Sequence, residues 1–101
     1  MRKIILTDYE FGGNTFQVRP SLASILFNED KLDGREIIYR DELARKVESH
    51  EGDEFLVEEA DWKKLVSSLN ATDLKPFGRT VVEFVKRVLD APQVTVIESG
   101  K

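Results

Sequence analysis

The chain has no cysteine and a single histidine, His50. The missing cysteine excludes a disulfide framework and thiolate metal sites, and it fits a reducing compartment. The single histidine leaves one imidazole for acid–base chemistry. Serines stand at Ser21, Ser24, Ser49, Ser67, Ser68 and Ser99, but none sits in a Gly-x-Ser-x-Gly elbow. Gly12-Gly13 lacks the later glycine and lysine of a phosphate-cradling loop. Long apolar runs are also missing. Ile4-Ile5-Leu6 is far too short to cross a bilayer, and no apolar segment of signal length follows Met1-Arg2-Lys3 before Asp8. Excess positive charge is absent too: the net charge is -4, which argues against general nucleic-acid binding. These absences predict a cytoplasmic, non-enzymatic protein with no cofactor, no metal and no membrane partner.

What remains is an ordinary globular composition, 41% hydrophobic and 34% charged, in 101 residues. That length fits one single globular domain over residues 1–101. Lys3 to Glu10 and Thr15 to Val18 are β-rich runs around Gly12-Gly13-Asn14, the signature of a hairpin, and Pro20 is expected to close it. Ser21 is the expected cap of a short helix carrying Leu22, Ile25 and Leu26. Asp33, three residues before Glu36, starts a second helix that runs to about Ser49. Tyr39, Leu43, Ala44 and Val47 are its expected buried face, and Gly52 its expected stop. Phe55-Leu56-Val57 reads as a short strand. Trp62, Leu65, Val66 and Leu69 form one apolar stripe at i, i+3, i+4, i+7 and give the clearest helix. Thr80 to Glu83 is a capping box for a last helix that buries Val81, Val82, Val85, Val88 and Leu89, with Phe84 at its edge. Val94 to Ile97 reads as a closing strand. The expected fold is α+β: a small antiparallel sheet, made of the N-terminal hairpin and the C-terminal strand, packed against three to four helices.

Few residues carry chemistry. Asn28 to Gly34 has the look of a calcium loop, but Lys31 and Arg40 fall where ligands are required. His50, Glu51, Asp53 and Glu54 are suitable ligand types, yet they lack the spacing that fixes ligands on one helix face. They belong instead to an uneven charge distribution. From Glu48 to Asp61 there are seven acids and no lysine or arginine. Such a single-sign stretch steers association with a basic partner. Glu51, Asp53 and Glu54 are therefore candidate partner-binding residues, joined by Phe77, an aromatic between Pro76 and Gly78 that can anchor in a partner's pocket. The alternative reading uses Arg35, Arg40, Arg45 and Lys46, on one helix, as nucleic-acid contacts. They spiral around the helix and each has an acid nearby, which suits a solvated surface better.

Three stretches carry a resemblance: Arg40-Asp41-Glu42-Leu43-Ala44-Arg45-Lys46-Val47, Phe55 to Leu69, and Thr80 to Pro92. Their arrangement is similar to that of small accessory and assembly proteins encoded among phage and prophage structural genes. The resemblance implies a role in virion assembly or protein binding and carries no residue roles with it. The expectation is thus a non-enzymatic protein-interaction module, bound to a protein partner or to further copies of itself. A small nucleic-acid-associated regulator is the alternative.

Overall fold

A computed structural model describes residues 1–95. The chain is an α+β domain. In order it forms β1 (Arg2–Ile5), β2 (Tyr9–Phe11), β3 (Asn14–Phe16), α1 (Val18–Ile25), α2 (Gly34–Ser49), β4 (Glu54–Val57), α3 (Glu59–Asn70), a 3-10 segment (Lys75–Val81) and α4 (Val82–Leu89).

The strands differ from expectation in how they pair. They form two antiparallel ribbons, β1 with β4 and β2 with β3, rather than one sheet built on the hairpin. The Lys3–Glu10 run splits because Asp8 leaves the strand. Its Oδ1 accepts the Val18 N–H at 3.0 Å, one of the orphan donors in the first turn of α1. The hairpin itself sits at the expected turn. Gly12 and Gly13 both have positive φ, 59° and 84°, as a two-residue turn matching strand twist requires. Tyr9 and Phe16 stack across it with centroids 5.1 Å apart. β1 instead pairs in register with β4, Ile4 opposite Phe55. On its other side β1 meets the chain end: Gln93 bridges Arg2, and the Val94 N–H donates to the Met1 carbonyl at 2.8 Å. Val96 and Ile97, in the expected closing strand, lie outside the described residues.

The helices start and stop by identifiable means. Pro20 lies in the first turn of α1 instead of closing the hairpin, where its missing N–H costs nothing. Ser21 is inside this helix, its Oγ donating to the Gln17 carbonyl, and is not the cap. Asp33 caps α2 as expected, accepting the Glu36 N–H at 2.8 Å. That helix ends at His50, before Gly52, because Arg19 donates to the Val47, His50 and Gly52 carbonyls and satisfies the C-terminus. Thr80 does not cap α4. Its carbonyl accepts from the Tyr9 hydroxyl at 2.6 Å, and the same hydroxyl accepts the Phe84 N–H at 3.2 Å. A hairpin tyrosine thus caps a helix far away in sequence, and burial raises its pKa.

α1 packs on α2 and α3, α3 on α4, and α4 on β1. The centre is Ile4, Leu6, Leu22, Leu26, Leu65, Leu69, Phe84 and Val88, all buried. Phe84 is central, not at the edge. Val82 and Leu89 are exposed, as is Tyr39. On α2 the buried face is Arg40, Leu43, Ala44 and Val47. Among the described residues no helix is long and apolar enough to cross a membrane.

Candidate interaction site

Arg40 is only 4% exposed, so it is not a surface contact of any kind. Its guanidinium reaches α2, α3 and the loop after α1. Nε donates to Glu36 at 2.7 Å, Nη1 donates to the Leu26 carbonyl at 3.1 Å and to the Ser68 hydroxyl, and Nη2 donates to Glu29 at 3.3 Å. The planar fork has five N–H donors, and these four bonds occupy most of them. Lys64 completes the network with two bonds to Glu36, at 2.8 and 3.1 Å. The Lys64 and Arg40 bonds hold the Glu36 carboxyl below the usual carboxylate range. A hydrogen bond from Ser67, followed by the charge of Arg40, does the same for Glu29.

Other arginines are also spent inside the fold. Arg2 holds Glu59 through two bonds, lies 4.0 Å from the Trp62 ring centroid, and donates to the Ala91 carbonyl. Its bonds lower the Glu59 pKa. Arg87 donates to the Ile5 and Thr7 carbonyls and pairs with Glu83. Of the four expected nucleic-acid contacts, Arg35, Arg45 and Lys46 are exposed, and Arg45 is paired with Asp41 at 2.8 Å. The structure brings no dense basic surface together from this set.

The acids fare differently. Glu51, Asp53 and Glu54 are all exposed. Glu54 is 3.9 Å from Lys3, and Asp53 borders a recess with Arg19. Phe77 is 52% exposed on the 3-10 segment, where Gly78 takes a positive φ of 53°. It lines a separate, mostly apolar cavity of about 280 Å³ with Phe16, Leu74 and Phe84. The four expected partner-binding residues are therefore not assembled into one site.

A larger groove, about 530 Å³, runs between α2, the outer side of β4 and the start of α3. That volume falls in the range, roughly 300–1,000 Å³, of ordinary ligand sites. Tyr39, Leu43 and Lys46 line it from α2, Phe55 to Val57 from β4, and Glu58 and Asp61 from the α3 entry. With Glu42 also in the wall, three carboxylates face one lysine. Only the acidic bias of the stretch from Glu48 to Asp61 pointed here. Glu42 and the strand edge carried no separate signal in the sequence.

His50 closes one end. Its Nε2 lies 2.7 Å from the Glu54 carbonyl, and its ring meets Phe55 edge-on at 5.2 Å. A carbonyl only accepts, so Nε2 is the donor in this contact. Among the described residues, no group of three or more His, Asp or Glu side chains is arranged to hold a metal ion.

No family model matches the chain, and the searches of curated proteins and of solved structures gave no match.

Proposed function

We propose that this chain is a non-enzymatic protein-interaction module whose docking surface is the acidic groove between α2 and β4. The observation that carries this reading is the conjunction of an outward-facing Leu56, 43% exposed on β4, with a wall of Glu42, Glu58 and Asp61. Carboxylates at the rim steer a basic partner, and a concave floor supplies area to bury. The resemblance to phage and prophage accessory proteins fits such a role in assembly. The nucleic-acid alternative draws little support, since it loses Arg40 to the interior and leaves Arg35, Arg45 and Lys46 as scattered surface charges, Arg45 beside Asp41.

A photo-reactive residue placed at position 56, with a control at the remote position 31, tests the reading. The expected result is a protein adduct from position 56 alone, identified by mass spectrometry and lost when Glu42, Glu58 and Asp61 are replaced by lysine. Equal adducts from both positions, or none, would overturn it.

A further inference from the structure

We propose that the outer edge of β4 takes an extended, basic segment of a partner protein as an added strand. This rests on the docking groove argued above and names its occupant.

The register decides which backbone groups are open. Leu6 N–H donates to the Asp53 carbonyl at 2.7 Å, whereas Lys3 N–H turns away from β4 and donates to Pro92 at 3.0 Å. Bonded and non-bonded pairs alternate along an antiparallel ladder. Lys3 opposite Leu56 is therefore a non-bonded pair, and so is Ile5 opposite Glu54. Leu56 must then point its N–H and C=O away from β1, into the groove. Glu54 points the same way, but His50 already occupies its carbonyl. Among the described residues, nothing bonds the Leu56 main chain on that side. An open edge of this kind templates an incoming strand, with main-chain bonds giving affinity and pockets giving specificity.

Charge selects the occupant. An incoming strand would pass Glu42, Glu58 and Asp61, against Lys46 and the Met1 end. Lysine or arginine at alternate positions meets those carboxylates. A second copy of this chain is disfavoured by the same wall, because pairing β4 with β4 would bring two acidic rims together.

The test is fluorescence anisotropy at low salt with a labelled octapeptide of alternating valine and lysine. Its partner probe is the same peptide N-methylated at alternate amides, with equal charge but fewer donors. Binding is expected to weaken about tenfold on N-methylation, one or two main-chain bonds being worth that much. Leu56→Pro should cause a similar loss. It deletes the outward N–H, as an edge position tolerates, and Leu56→Ala accounts for the side chain lost with it. Should that variant not fold, the N-methylated probe still decides the matter. No binding of the unmethylated peptide overturns the inference. Equal binding of both peptides overturns it too, by showing a site for cations alone, as does a homodimer that excludes the peptide. If the peptide fails while the position-56 adduct persists, the docking groove stands and strand addition falls. If both fail, both fall.

Discussion

Two regions of this small domain invert the usual placement of polar groups. Around Arg40 a charged side chain lies inside, between α1, α2 and α3, with acceptors supplied by Leu26, Glu29, Glu36 and Ser68. Along β4 a main-chain donor and acceptor lie outside, facing a groove. The buried charge is satisfied, whereas among the described residues the Leu56 main chain on the exposed edge has no partner. Buried polar groups without partners are costly, so evolution must complete them or remove them. Exposed strand edges cost little in stability, and their risk is unwanted pairing. The first region therefore speaks of folding, and the second is where the proposed recognition would act.

Breaking the Arg40 hub gives the largest expected effect. Arg40→Ala leaves the Ser68 hydroxyl and the Leu26 carbonyl without their buried donor and leaves Glu36 to Lys64 alone, and should cost about 2–4 kcal/mol. Arg40→Lys keeps the charge but not the fork, and should cost about 1–3 kcal/mol. Urea unfolding measures both. A loss below about 0.5 kcal/mol for Arg40→Ala would show that the hub is solvated in solution and that the contrast is illusory.

Acid sharpens the same contrast. The Glu29 and Glu36 pKa values are lowered in the fold. Groups with depressed folded values contribute stability that is complete above their unfolded value, about 4.3 for glutamate. That contribution fades as pH falls through the folded value. Stability should therefore decline below about pH 4.5, and Glu36→Gln should flatten the decline while costing about 1 kcal/mol at neutral pH. Thermal melts across an acid series check this. An unchanged slope in Glu36→Gln would assign the acid sensitivity elsewhere, with Glu59 on Arg2 the next candidate.

How much of this was legible follows from the kind of signal each feature leaves. Helices with an apolar stripe were readable: Leu22 and Ile25 in α1, Leu26 at its C-cap, and Leu65 and Leu69 in α3, are buried as their spacing implied. The Asp33 cap was local and was readable too. Strand pairing was not, because β1 to β4 joins residues about fifty apart and no short-range pattern specifies it. Arg40 was opaque for a related reason. Its neighbours Asp41 and Glu42 suggested a solvated surface, while, beyond Glu36 on its own helix, its partners come from the loop after α1 and from α3. The Tyr9 hydroxyl that caps α4 left no trace in the capping motif at Thr80. The acidic half of the groove was visible as a charge run, but its concavity depends on α2 facing β4.

On the groove side, substitutions should leave the fold almost untouched. Leu56→Ala and Glu42→Gln, both at exposed positions, should each change stability by no more than about 0.5 kcal/mol. Their effect should fall on partner binding instead. If Leu56→Ala destabilised the chain as strongly as Arg40→Ala, the β4 edge would be a structural element like the hub, and the division between the two regions would fail.

The finest test asks what keeps the open edge from pairing with itself. If the acids do so, light scattering across a concentration series should give the monomer mass, 11.6 kDa, throughout. Replacing Glu42 and Glu58 with glutamine and Asp61 with asparagine preserves side-chain size while removing the repulsion. That variant should drift toward dimer at the highest concentrations, because an edge strand without charge is a ready template for another edge. A wild-type dimer would mean that the groove is filled by a second copy, so that its carboxylates must meet basic side chains of that copy. A neutralised variant that stays monomeric would place the protection in the shortness of β4, four residues with one carbonyl already taken by His50. In that case charge would select the partner without guarding the edge.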